Sequence, residues 1–235
     1  MTIRNLWKKI PISYRNLFHR ILHIINSSRI LLGILYFRHF LTRYLISRDS
    51  CQNLRIGESL SYPNWRSTNY QVLTMNFIDA TRTFSSPNKF KYIIADNVVE
   101  HLNLVNGEKM LSNMYYSLQH GGKIRITTPD LESICRVYLK FDSNQLSDYS
   151  HDLENHNLRI EHFPDLLKST FNAFGHHKGY IYDFNLLEAV LKRIGFRNIQ
   201  KFQSGYSDDL MLRNLEHRNS KSDYWSQMSI EATKI

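Results

Sequence analysis

From Gln52 onward, short apolar runs alternate with helix-length amphipathic stretches, and this alternation limits the fold more than any other feature of the chain. A short apolar run reads as a strand buried on both faces, and strands joined through helices pair in parallel. Strands are expected at 53–56, 72–78, 91–95 and 123–127, with a weaker one at 65–69 and two more at 197–203 and 226–233. Residues 105–118 place Val105, Met110, Leu111, Met114 and Leu118 at helical spacing, and a second helix is expected over 184–193. Gly121-Gly122 and Gly195 are expected to stop these helices, because glycine takes the left-handed backbone that ends one. The pattern is that of an α/β domain over 51–235. The polar stretch 141–177 breaks the alternation and reads as an inserted lid or substrate segment.

Residues 1–50 are of another kind. They carry nine basic residues and one acidic residue, a net +8 of the chain's +9, so the rest of the 235-residue chain is close to neutral. A near-neutral body argues against nucleic acid as partner, since phosphate neutralisation needs basic side chains across the folded surface. Leu17, Ile21, Ile24, Ile25, Ser28, Leu31, Leu32 and Leu35 follow helical spacing, which predicts a basic amphipathic helical extension. Three readings stay open for it: its apolar face packs on the domain, it contacts an anionic membrane surface or a partner protein, or it is an organelle-targeting peptide. The apolar run 30–37 is far shorter than the roughly 20 residues that span a bilayer, so no transmembrane helix is expected. Arginines interrupt any signal-peptide core. Cys51 and Cys135 are too few for a disulfide framework or a cysteine zinc site, which favours a reducing compartment and a cytoplasmic location.

Open α/β sheets bind ligands where strands end. The positions to inspect are Gly57, Glu58 and Ser59 after the first strand, then Asn69, then Asp79, then Asp96 and Asn97, and lastly Thr128, Pro129 and Asp130.

Two of these strand ends sit in longer motifs. YIIADNVVEHL over 92–102, the helix that follows, and LQHGGKIRITTPDL over 118–131 resemble the second half of a class I S-adenosylmethionine-dependent methyltransferase. GHHKGYIYD over 175–183, IGF over 194–196, LEH over 215–217 and EATK over 231–234 are similar to later landmarks of a methyltransferase branch often associated with surface-glycan synthesis. The resemblance covers about 52–235 and implies a Rossmann-like sheet of seven strands, the last two a reversed hairpin. It implies S-adenosylmethionine as cofactor, held by Gly57, Glu58, Ser59, Asn69, Asp79, Asp96 and Asn97. The first glycine motif is degenerate, because Gly57-Glu58-Ser59 keeps only its first glycine and Asn69 stands where the family tends to place a carboxylate.

The same resemblance puts Asp130, His101, His176 and Tyr182 at the catalytic side, facing a small-molecule or glycan acceptor. His101 has two readings, a general base or a residue packing the short helix after the fourth strand. Asp130 likewise either meets the acceptor or caps the next helix. His151, His156, His162, His176 and His177 gather five of the eleven histidines, yet no pair has the spacing of a helical zinc site, so no metal is expected. The functional expectation is methyl transfer to an unknown acceptor. Its alternative is a binding or scaffolding protein of the same fold, impaired in cofactor binding and tethered through residues 1–50.

Overall fold

The computed structural model describes residues 29–57, 62–69, 76–154, 156–216 and 220–235. Strands β1 (Asn53–Ile56), β2 (Arg66–Thr68), β3 (Phe90–Asp96) and β4 (Leu118–Pro129) are parallel. β5 (Phe196–Phe202) and β6 (Gln227–Lys234) complete a mixed sheet of order β2-β1-β3-β4-β6-β5, with β6 antiparallel to both neighbours. Seven helices are described: α1 (Arg29–Arg48), α2 (Leu104–Ser117), α3 (Leu131–Lys140), α4 (Ser143–Glu154), α5 (Phe163–Asn172), α6 (Phe184–Ile194) and the single turn α7 (Asp223–Ser226).

Side chains alternate across a strand, so each strand feeds two environments. One face offers Leu54, Ile56, Ile93, Ala95, Ile124, Ile126, Met228 and Ile230, and these bury against Met110, Leu111 and Met114 of α2 and Leu187, Val190 and Leu191 of α6. The other face sets Arg55, Ile94, Arg125 and Glu231 side by side in register. An irregular segment, 203–216, covers that face through Leu212 and Leu215, packed with Tyr62, Trp65 and Tyr92. The β1-to-β2 connection, 57–65, has nine residues, where a helical crossover takes about a dozen or more. Helices α3, α4 and α5 pack a separate small core from Ile134, Val137, Tyr149, Leu153 and Leu166, closed by Trp225 of α7. Most of the stretch expected as an insertion is therefore helical.

Several expectations shift. The described residues form six strands rather than seven. Of the strand expected at 72–78, residues 72–75 lie outside the described residues, and Phe77 makes a single parallel bridge to Asn69. The weak strand at 65–69 is β2. Gly121-Gly122 does not end α2, which stops at Ser117 and passes into extended backbone at Leu118. The pair sits inside β4, where the register with β3 jumps from Phe90 opposite Leu118 to Tyr92 opposite Lys123. Gly121 takes φ 75° there, and a Cβ on Gly122 would lie 3.0 Å from the Lys91 carbonyl oxygen. Gly195 does close α6, at φ 121°. Of the expected N-terminal helical extension, residues 1–28 lie outside the described residues. α1 seats His39, Thr42 and Ile46 on the domain and leaves Phe37, Phe40, Leu41 and Tyr44 exposed. No helix among the described residues is long and apolar enough to cross a membrane.

Candidate functional site

The chain leaves β1 toward β2 on one side and returns to β3 on the other, so the switch point at which open α/β sheets bind ligands falls at the carboxyl ends of β1 and β3. Gly57 closes β1 at φ 126°, and a Cβ there would lie 2.5 Å from the Asp96 carbonyl oxygen. Only glycine lets the two strand ends meet this closely. Asp96 is buried and held by Arg55, whose Nη2 lies 3.1 Å from its Oδ2, while the Arg55 guanidinium stacks over Tyr62. Asn97 adopts φ 47° and donates its backbone N–H to the Thr127 carbonyl at 2.9 Å. Its side-chain Oδ1 is buried with no hydrogen-bond partner among the described residues.

Asn69 is buried at the end of β2, its backbone bonded to Asn76 and Ile78. Asp79 lines a cavity of about 150 Å³ together with Tyr36, His39, Phe77 and Arg82. Its backbone N–H donates to His39 Nδ1 at 3.1 Å. Its carboxylate accepts from Thr81 N and Oγ1 at 3.0 and 2.7 Å and from Arg82 Nε at 3.0 Å. Burial lowers the pKa of His39, against the raising charge of Asp79. Glu58 and Ser59 lie outside the described residues.

Past β3, a 3₁₀ turn (Val99–His101) meets a second 3₁₀ segment (Ala173–Lys178). Glu100, His101 and His176 converge there. The two imidazole rings are 5.0 Å apart, and Glu100 Oε2 accepts from Thr128 Oγ1 at 3.3 Å. His176 Nδ1 lies 2.7 Å from the Thr170 carbonyl oxygen. Burial, then the neighbouring His176, pulls His101 down to about 4. Burial also lowers His176, against the raising hydrogen bond to Thr170.

Asp130 and Tyr182, expected on the acceptor side, are both buried, and Asp130 takes its capping alternative. Asp130 is buried as the N-cap of α3, accepting from Ser133 Oγ at 2.7 Å, and pairs with Lys201 at 2.6 Å. Tyr182 belongs to the core under the helices, because it is 0% exposed and its hydroxyl faces α2 at Gly107. That hydroxyl has no partner among the described residues, and burial, followed by the charge of Glu108, raises its pKa. Sequence reasoning assigned no role to Arg55 or Glu100. The signal for Arg55 was present, a charge in the middle of an apolar strand.

No family model matches the chain, and no curated protein matches it. Many of the solved structures it resembles are S-adenosylmethionine-dependent methyltransferases. The CurJ carbon methyltransferase is 12% identical with a TM-score of 0.46, over 77% of this chain and 47% of that one. Phosphoethanolamine N-methyltransferase 2 of Haemonchus contortus, solved with S-adenosylmethionine, is 13% identical with a TM-score of 0.43, over 77% and 48%. The chain thus spans about half the length of these two. A possible histamine N-methyltransferase of Thermotoga maritima is 12% identical with a TM-score of 0.46, over 94% and 99%.

Proposed function

We propose that the chain is an S-adenosylmethionine-dependent methyltransferase whose cofactor is held at the switch point between β1 and β3. The observation that carries this reading is the pairing of Gly57 with Asp96 and Asn97, which leaves a buried amide oxygen on Asn97 without a donor among the described residues. A buried acceptor left unmet costs about 1–3 kcal/mol, and a ligand ammonium or hydroxyl would satisfy it. Asn69 stands where a ribose would be met, and Asp79 borders the cavity under α1. The cofactor supplies an activated methyl group, and this chain's residues bind, orient and exclude water around it. His101, pulled down by burial and by the neighbouring His176, stands neutral on the acceptor side. The acceptor is an oxygen- or nitrogen-bearing small molecule, with a glycan as one candidate class.

Equilibrium titration of the chain with S-adenosylhomocysteine tests the reading, and no heat at millimolar ligand would sink it. Asn97→Gly keeps the positive φ and deletes the orphan oxygen. It is expected to weaken binding about fivefold, which corresponds to roughly 1 kcal/mol.

A second reading, a binding protein of the same fold, is favoured by the amide at Asn69 and by the Thr81 and Arg82 bonds that engage the Asp79 carboxylate. Asn69→Asp separates the two. A gain of tenfold or more in cofactor affinity favours the second, and a negligible gain favours the first. The tether in that reading is the exposed apolar face of α1, interspersed with Arg38, Arg43 and Arg48. Flotation of the full chain on liposomes with and without anionic lipid tests it, and indifference to lipid charge counts against it.

A further inference from the structure

We propose that Glu100, His101 and His176 form a site for a divalent transition-metal ion, with coordination positions left open beside the end of β3. The ligands come from two segments distant in sequence, which is why histidine spacing did not show them. Backbone packing brings the segments together. Tyr180 N donates to the Glu100 carbonyl at 3.1 Å, and a Cβ on Gly179 would fall 1.7 Å from that same oxygen, so glycine is what permits the approach. Gly175, at φ 93°, turns the chain next to His101. One donor atom from each of the three side chains lies within 4.8 Å of the others. Small side-chain rotations close that to the roughly 3–3.5 Å between donors on an ion bound at about 2.0–2.2 Å.

The surroundings orient the donors as outer partners of a metal site do. A carbonyl oxygen only accepts, so the 2.7 Å contact with Thr170 places the proton of His176 on Nδ1 and leaves Nε2 as the donor atom. Thr128 Oγ1 donates to one oxygen of the Glu100 carboxylate. Glu100 is fully buried and His176 nearly so, so the chelating atoms are held on rigid, packed elements rather than on a loop tip. Two imidazoles with one carboxylate suit zinc, iron(II) or a neighbour in that row rather than magnesium or calcium, which prefer all-oxygen shells. Three protein ligands, where a closed structural site has four, leave room for a water or an oxygen of a bound molecule. That this oxygen belongs to a methyl acceptor rests on the methyltransferase reading, whereas the metal site itself does not.

The test is titration of the chelator-treated full chain with Co²⁺, followed in the visible spectrum, and displacement by Zn²⁺. One equivalent of Co²⁺ is expected to give a ligand-field band that Zn²⁺ removes. His101→Ala and His176→Ala are each expected to weaken binding more than tenfold. Thr128→Val, which removes only the hydroxyl behind Glu100, is expected to weaken it about tenfold. His151→Ala and His162→Ala should leave the band unchanged. Thermal melts in chelator report whether each variant is folded, and if a histidine variant is not, Thr128→Val decides. Absence of a stoichiometric band overturns the proposal, as does a band that survives both cluster substitutions or disappears with His151 or His162. S-adenosylhomocysteine titration in chelator is independent, so the failure of either proposal leaves the other standing.

Discussion

Beneath α2 and α6, β4 contributes Ile124 and Ile126, while on its opposite face the same strand contributes Arg125 and Thr127, and all four are 0% exposed. The two faces bury their strands equally and by opposite means. Under the helices, apolar contact is non-directional and many packings would nearly serve. Under segment 203–216, geometry is specified atom by atom. Arg125 Nε donates to Glu216 Oε1 and Nη1 to Glu231 Oε1, each at 2.5 Å. Glu216 Oε1 also accepts from Thr127 at 2.8 Å and Ser229 at 3.2 Å, and its Oε2 accepts from Gly205 N at 3.2 Å. Lys123 and Tyr92 both reach Asp209. A chain segment without a helix or strand over most of its length is thereby seated in one way. The same face supplies Arg55 to Asp96, so the charged side also braces the switch point.

The largest effect is expected where this comparison is broken outright. Arg125→Met leaves two buried carboxylates without their cation, and removing one partner of a buried ion pair costs about 3–5 kcal/mol. Urea unfolding should show that loss, and a loss below about 1 kcal/mol would mean that water already reaches the cluster. On the apolar face, Leu111→Ala is expected to cost about 2–4 kcal/mol through the cavity it leaves. The two variants should differ in kind as well. Arg125→Met should expose 203–216 to limited proteolysis while the helices stay protected, and Leu111→Ala should loosen the molecule without favouring that segment.

The same division explains what was legible in the sequence. The helical face announces itself, since Met110, Leu111 and Met114 recur at helical spacing and Ile93 and Ala95 alternate along their strand, so β1, β3, α2 and α6 were placed to within a residue or two. The charged face does not. Arg55 and Arg125 are each a charge inside an apolar strand, but their partners Asp96, Glu216 and Glu231 are distant in sequence, so only the folded chain reveals the pairs. Segment 203–216 has no periodicity because its order is imposed by these bonds. The strand ends at the switch point between β1 and β3 follow from topology alone. The triad of Glu100, His101 and His176 was hidden for the same reason as the ion pairs.

A smaller effect probes how tightly the apolar face is fitted. A Cβ on Gly107 would lie 2.3 Å from the Tyr182 hydroxyl. In an open helix, Gly→Ala would stabilise by about 1 kcal/mol. Here Gly107→Ala is expected to destabilise by about 1–3 kcal/mol, as overpacking does. Tyr182→Phe removes the obstructing oxygen, and in that background Gly107→Ala should cost much less, a coupling that a double-mutant cycle in urea measures. Additive effects would place the tyrosine elsewhere.

The smallest effect is a pH dependence on the charged face, where two carboxyls shift in opposite directions. Burial acts on Glu216 to raise its carboxyl, but the hydrogen bond and charge of Arg125 and the Thr127 bond outweigh it and hold the group below its ordinary 4.5. Glu231 moves the other way, raised above 4.5 by burial despite Ser207 and Arg125. The two directions differ because Arg125 and Thr127 outweigh burial at Glu216, whereas burial outweighs Ser207 and Arg125 at Glu231. A depressed carboxyl contributes stability that is present above its unfolded value and lost as pH falls through its folded value. A raised carboxyl binds its proton more tightly in the folded state, so its contribution grows as pH falls through its folded value toward 4.5, above the window in which Glu216 acts. Stability from the two groups should therefore rise as pH falls toward 4.5, through Glu231, and decline below it, through Glu216. Glu231→Gln removes the first arm, so the urea midpoint of that variant should lack the native rise above pH 4.5 and keep the decline below it. A rise that survives Glu231→Gln would mean that the two carboxylates do not divide the guanidinium of Arg125 in this way.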